Sequence, residues 1–233
     1  MYIDLNVGMN RTGITPGEKA VDLYRLLTTL KGIRTAGLHA YDGHLRQQQL
    51  EERKIACDAG FREVERMMAS LQAQSLAVPN VIAGGSPAFP IHAQRAQVEC
   101  SPGTFVYWDK TYGDLCPEQP FLPAAVLVTR VISLPGTGRI CTDLGHKSVA
   151  AENEITRRIH FLNADGLKPV GQSEEHLVLE TSGPAIYKTG DVLYGIPYHV
   201  CPTVALYERM VTIEEGRVSG EWKNTARDRK LTI

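Results

Sequence analysis

The chain contains no apolar run near the roughly 20 residues that a bilayer-spanning helix requires, so no membrane segment is expected among its 233 residues. Its opening, Met1-Tyr2-Ile3-Asp4-Leu5, lacks the basic and apolar regions of a secretory leader. No block of lysine or arginine stands out, and the formal net charge is −1. Neither nucleic acid nor an anionic membrane is therefore an expected partner. Cysteine is sparse: five residues, odd in number, with no Cys-x-x-Cys pair. That speaks against a disulfide framework and for reduced thiols in a cytoplasmic protein. Neither a Walker A sequence nor Gly-x-Gly-x-x-Gly is present, which weighs against a nucleotide. Internal repeats and low-complexity segments are missing too.

What is present has the texture of a folded enzyme-sized chain. A hydrophobic fraction of 43% and a charged fraction of 22% are ordinary for globular proteins. The first half alternates strand and helix. Tyr2 to Val7 reads as a strand, followed by the loop Gly8 to Gly13. Pro16-Gly17-Glu18 leads into a helix with Val21, Tyr24, Leu27 and Leu30 on one face. Thr35 to Tyr41 is a second strand. A long helix is expected from about Gln48 to Gln72, with an apolar stripe of Leu50, Cys57, Phe61, Val64, Met68 and Leu71. Asn80 to Ala83 and Gln97 to Cys100 are third and fourth strands. This alternation argues for parallel βαβ units.

Beyond about Pro123 the pattern changes. Val126 to Ile132, Gly138 to Asp143, Glu175 to Glu180 and Val204 to Tyr207 read as strands between Gly/Pro turns, with no long helix among them. Arg217 to Ile233 reads as a closing strand and a charged tail that includes Ala226-Arg227-Asp228-Arg229. The expected organisation is an α/β domain over residues 1–122 and a mostly-β domain over 123–233. Four parallel strands are half of the eight in the commonest closed β/α barrel. Either the first domain is a small open sheet, or half of a barrel is absent.

Two kinds of candidate site stand out. Ile196-Pro197-Tyr198-His199-Val200-Cys201-Pro202-Thr203 places His199 and Cys201 two residues apart. In extended backbone they face one side, and an imidazole with a thiolate suits a borderline-soft divalent metal such as zinc. Pro197 and Pro202 argue against a helix through the motif. The bland alternative is a buried cysteine beside a hydrogen-bonded histidine. The second kind is a set of loops at the carboxyl ends of the strands, where α/β proteins bind ligands. In Gly84-Gly85-Ser86 and Gly103-Thr104 a hydroxyl stands beside glycine, so backbone N–H groups can cradle a phosphate. Each also serves as an ordinary tight turn. Arg11 either fixes an anionic oxygen or makes a surface ion pair. Tyr41 and His44 offer a stacking ring and a titrating imidazole. Asp143, His146 and Lys147 form a polar cluster that either lines a cleft or is a solvated turn.

The ordered segments Asp4 to Ile14, Gly37 to His44, Ala83 to Phe89, Glu99 to Phe105, Asp143 to Lys147 and Pro197 to Thr203 resemble the D-threonine aldolase/D-serine dehydratase family. These are fold-type III pyridoxal-phosphate enzymes, with an alanine-racemase-like (β/α)8 barrel followed by a β domain. The resemblance implies the C-terminal half of that barrel in the first domain. It implies a pyridoxal 5'-phosphate site with Arg11 at the cofactor phenolic oxygen or the substrate carboxylate, and with Tyr41 at the cofactor. It further implies Gly84, Gly85, Ser86, Gly103 and Thr104 as phosphate cradle, and His199 and Cys201 as the ligands of a divalent metal, zinc or manganese. His44, with Tyr41, is the catalytic candidate. The substrate implied is a small D-amino acid with a β-hydroxyl. D-threonine cleavage to glycine and acetaldehyde comes first, D-serine dehydration second, and a homodimer is the implied assembly. A racemase shares the barrel, but proton exchange at Cα needs no metal on a β-hydroxyl.

One departure is expected to matter. The resemblance places the lysine that forms the cofactor imine near the first barrel strand, and Lys19, Lys31 and Lys54 fall on helices or at their ends. The chain is therefore expected to be the C-terminal portion of a longer lyase, inactive alone, or a non-catalytic remnant.

Overall fold

A computed structural model describes residues 1–181, 186–228 and 230. The chain divides into two compact units, one of Met1–Phe105 with Tyr112–Phe121, the other of Val106–Thr111 with Leu122–Ile233.

In the first unit, β1 (Tyr2–Leu5), α1 (Glu18–Thr29), β2 (Gly37–Ala40), α2 (Leu50–Ala73), β3 (Asn80–Ala83), α3 (Phe89–His92) and β4 (Glu99–Cys100) follow one another. The four strands form a single parallel sheet in chain order. Parallel neighbours need a crossover connection, and α1 and α2 supply the first two. Side chains alternate along a strand, so Ile3 and Leu5, Leu38 and Ala40, and Val81 and Ala83 share one face. They pack there against Ala20, Val21, Tyr24 and Leu27 of α1 and Phe61, Val64, Met67 and Leu71 of α2. The opposite face carries Asp4 and His39, joined at 2.8 Å across β1 and β2. Two expectations are adjusted. Met67 takes the deep position on α2 in place of Met68, and Leu30 lies past the end of α1 with its side chain exposed. At Arg53 the core face of α2 also buries a charge. Its guanidinium donates to the Gln47 carbonyl at 2.6 Å and pairs with Glu118.

A short helix α4 (Lys110–Leu115) precedes the β-rich part. There β5 (Leu127–Gly136), β6 (Arg139–Thr142), β7 (Ile159–Phe161), β8 (Leu167–Gln172), β9 (Leu177–Thr181) and β10 (Val192–Pro197) form a six-stranded sheet ordered β7-β10-β5-β6-β9-β8. All its pairings are antiparallel. Its core is Val131, Ile140, Leu144, Leu177, Leu179 and Leu193 with their neighbours. After α5 (Val200–Val204), β11 (Arg209–Glu214) and β12 (Arg217–Lys223) form a separate hairpin.

β7, β8, β10 and β11 fall outside the expected strands, and the strand expected over Val204 to Tyr207 does not form. Val204 ends α5, and Ala205 to Tyr207 turn out of it. The expectation that Pro202 forbids a helix also fails. Pro202 is the third residue of α5, where its missing N–H would have had no intrahelical acceptor. Of the expected charged tail, Arg229 and residues 231–233 lie outside the described residues.

Candidate functional site

The strand tips of the first unit gather several of the candidate residues. Tyr41 follows β2, and the Arg11 guanidinium lies over its ring, 4.9 Å from the centroid, a cation–π arrangement. The ring is wedged between two glycines. A Cβ on Gly43 would come within 2.2 Å of the Tyr41 hydroxyl, and one on Gly85 within 3.1 Å of the ring. Gly84 has φ +89, and a Cβ there would meet His92 Cδ2 at 2.8 Å. Only glycine allows this backbone and this approach.

The glycine turn after β3 is fixed from several sides. Gly84 N–H donates to the Ala40 carbonyl at 3.0 Å, and Gly85 N–H to Asp42 Oδ1 at 2.9 Å. Ser101 Oγ donates to the Gly84 carbonyl at 3.1 Å, tying this turn to the start of the loop that holds Gly103 and Thr104. Gln119 Nε2 donates to the Ser86 carbonyl at 2.9 Å. His44 is exposed on the turn after β2, its imidazole beside Gly8. Gly103 is exposed and Thr104 half-buried. On the polar face of the sheet, burial pushes the Asp4 carboxyl up. Hydrogen bonds from Thr12 and His39 outweigh that and hold it below the usual range.

Beneath the glycine turn lies a cluster that the sequence reading did not find. His92 Nε2 is 2.9 Å from Asp42 Oδ2 and 3.3 Å from Cys57 Sγ, and Cys57 Sγ is 3.7 Å from the same Asp42 oxygen. All three side chains are buried. Burial first, then the Asp42 charge, pushes the Cys57 thiol up to about 12. His92 Nδ1 is buried without a partner. In the sequence Cys57 is one member of the apolar stripe of α2. Nothing in the spacing of residues 42, 57 and 92 announces that they meet.

The second unit holds the His199–Cys201 pair, and the two side chains hydrogen-bond each other. They meet by a different route from the extended strand expected. His199 is the N-cap of α5, in extended conformation, and Cys201 lies in the first helical turn. The junction is pinned: Asp109 Oδ2 accepts from Val200 N–H at 3.1 Å, and Thr203 Oγ1 donates to the His199 carbonyl at 2.7 Å. Glu152 also holds the ring, its Oε1 accepting from His199 Nδ1 at 2.5 Å. The Cys201 contact chiefly, with Glu152 adding, holds the His199 imidazole more basic than usual. Glu152 had no signal in the sequence beyond being one carboxylate among many. Lys147, by contrast, is exposed and paired with Glu175 at 3.0 Å and Glu174 at 3.1 Å. Its amine is raised first by Glu175, the opposite of what a nucleophilic lysine needs.

Comparison with known proteins covers both units. Residues 1–111 match the alanine racemase N-terminal domain, and residues 124–213 the putative serine dehydratase domain. D-threonine aldolase of Arthrobacter sp is 26% identical over 232 residues, and 3-hydroxy-D-aspartate aldolase of Paracoccus denitrificans 23% identical over 238. Each match takes in 97% of this chain and 60% of the relative, so the chain spans about 60% of the length of these curated relatives. The crystal structure of D-threonine aldolase from Filomicrobium marinum superposes with a TM-score of 0.88 at 25% identity, over 97% of this chain and 62% of that one. Among the described residues, no helix is long and apolar enough to cross a membrane.

Proposed function

Because the chain belongs to the alanine-racemase-like, fold-type III family of pyridoxal-phosphate enzymes that includes the D-threonine aldolases, we propose that it serves a pyridoxal-phosphate- and metal-dependent lyase acting on D-β-hydroxy amino acids. The reaction proposed is cleavage of D-threonine to glycine and acetaldehyde. The observation that carries this reading is the whole-chain likeness to aldolases of 3-hydroxy D-amino acids, with the His199–Cys201 pair in contact in the same chain.

The residues present fit both implied groups. At the strand tips the hydroxyls of Ser86 and Thr104, carried on turns that glycine keeps open, are groups of the kind a phosphate monoester takes. Gly84, Gly85, Ser86, Gly103 and Thr104 would hold the cofactor phosphate. Gly84 and Gly85 serve by the shape of their turn, since the Ala40 carbonyl and Asp42 already take their N–H groups. Tyr41 would orient the cofactor, with Arg11 over its ring supplying positive charge to an anionic oxygen. When bound, pyridoxal phosphate supplies an electron sink for charge left at the substrate Cα. His44 would take the proton from the substrate β-hydroxyl oxygen.

In the second unit, the imidazole and thiolate of His199 and Cys201 form a donor pair suited to zinc, and with more oxygen ligands to manganese. His199 and Cys201 would hold the ion, which supplies Lewis acidity towards a hydroxyl. Thr203 and Asp109 keep the two ligands in place. The resemblance extends the proposal to a homodimer and to a cytoplasmic location.

The test is an assay of D-threonine, D-serine and D-3-hydroxyaspartate with pyridoxal phosphate and Zn2+ or Mn2+. It is run on the chain alone and on the chain fused to the segment of an aldolase relative that lies outside the match. Glycine and acetaldehyde from D-threonine, lost in His199→Ala, support the reading. Pyruvate and ammonia from D-serine would replace it with the dehydratase. An inert fusion that binds the cofactor would overturn it in favour of a non-catalytic role.

A further inference from the structure

The buried Asp42, Cys57 and His92 cluster has a geometry beyond hydrogen bonding. Its three ligand atoms form a triangle with edges of 2.9, 3.3 and 3.7 Å. In a tetrahedral zinc site with bonds of about 2.0 Å to nitrogen and oxygen and about 2.3 Å to sulfur, the ligand atoms stand roughly 3.3–3.5 Å apart. The point equidistant from the corners of the observed triangle is about 1.9 Å from each, so an ion slightly out of that plane reaches all three at ordinary bond lengths. A cavity of about 10 Å³ borders the three side chains, with His44 also in its lining. That is about one water, enough for the fourth position that three protein ligands leave open. The charge balance suits a dry interior. One carboxylate, one thiolate and a neutral imidazole cancel a divalent cation, so no net charge is buried.

We propose that Asp42 Oδ2, Cys57 Sγ and His92 Nε2 form a second divalent-metal site, for a zinc-class ion, built into the floor of the Gly84–Ser86 turn. Asp42 would bind the ion through one oxygen while the other keeps its bond to Gly85 N–H, so occupancy and turn geometry are linked. The site differs from the His199–Cys201 pair in every residue. It is a structural clamp, because its ligands are buried and its fourth position is a one-water cavity. His92 Nδ1 has no acceptor. Such outer hydrogen bonds ordinarily raise metal affinity by about 10–100-fold, so this ion is expected to leave under a chelator. The proposal stands apart from the lyase reading, since it needs neither cofactor nor turnover.

The test uses Cys201→Ser protein, stripped with chelator and titrated with Co2+ and with Zn2+. One equivalent of Co2+ with a near-ultraviolet thiolate-to-cobalt band is expected, displaced by Zn2+, with a rise in melting temperature on Zn2+ addition. Adding Cys57→Ser should abolish the band, and adding His92→Gln should weaken binding at least tenfold. Cys201→Ser protein that stays folded but binds no Co2+ and melts unchanged with Zn2+ would overturn the site, leaving the cluster as a hydrogen-bonded buttress. That result needs no substitution at the site, so poor folding of a Cys57 variant does not blur it. A band that survives in folded Cys57→Ser would overturn it as well.

Discussion

Among the described residues a histidine meets a cysteine at two places, each histidine also holding a carboxylate, and the two meetings differ in almost everything else. His199 and Cys201 are two residues apart, on a strand-to-helix junction, partly open to solvent. Asp42, Cys57 and His92 come from the turn after β2, from α2 and from α3, and are shut in the interior. The first cluster keeps its groups accessible to a substrate or ion. The second uses them to hold the backbone of a glycine turn. The contrast teaches that donor chemistry alone does not tell a reactive site from a structural one. Burial and hydrogen-bond commitment do.

The contrast is sharpest in stability. Asp42→Ala would leave His92 and Gly85 N–H without their shared acceptor in the interior, and a loss of about 3–5 kcal/mol is expected. Glu152→Ala, at an exposed ion pair, should cost no more than about 1 kcal/mol. Urea denaturation of the two variants measures the difference, and equal losses would erase it.

A smaller effect separates the two cradle turns. Gly84→Ala puts a Cβ against His92 in a left-handed backbone, for an expected loss of about 1–3 kcal/mol. Gly103→Ala meets nothing within 4 Å and should stay within about 0.5 kcal/mol of the parent in thermal melts.

Thiol reactivity tests the same difference kinetically. With Cys57 pushed up to about 12 and buried, metal-free protein at about pH 8 should label at Cys201 at least 10³-fold faster than at Cys57, read by peptide mass spectrometry. Comparable rates would mean that α2 opens readily over the cluster.

The smallest effect is a pH dependence. Burial raises the Asp58 carboxyl, but hydrogen bonds from Lys54 and Arg95 and their charges outweigh it and leave the folded value below 3.8. The unfolded chain then takes the proton first. The stabilisation is full above the unfolded value and fades as pH falls through the folded one. Asp58→Asn should therefore flatten the acid side of a melting-temperature profile between about pH 5 and pH 3. Glu175, fully solvated beside Lys147, is also held low by that amine, yet Glu175→Gln should leave the profile nearly unchanged because solvent screens the pair.

Legibility followed the range of the interactions. Asn80 to Ala83 was readable to the residue as a strand, and α2 nearly so, because periodicity is local. The strand predicted over Val204 to Tyr207 failed because Val204 closes a short helix whose start Asp109 and Thr203 secure, and the N–H groups of Leu206 and Tyr207 turn back to the carbonyls of Thr203 and Val204 instead of to a neighbouring strand. Polar content masked the strand character of Leu167–Gln172, which alternates half-buried and exposed positions beside β9. Arg11 and Tyr41 were separate candidates in the sequence, and their stacking is a product of the fold.

By itself the amino-acid sequence determined the alternation of strand and helix in the first half, the shift to β structure in the second, the glycine turns at the strand tips and the nearness of His199 to Cys201. Each of these is set within a few residues by backbone geometry and side-chain period. Tertiary structure alone decided that Asp42, Cys57 and His92 converge under Gly84 and Gly85, that Glu152 reaches His199, and that Arg53 and Glu118 pair. Contacts between distant residues depend on how whole elements pack to bury apolar surface, and no local pattern records which polar groups that packing will bring together.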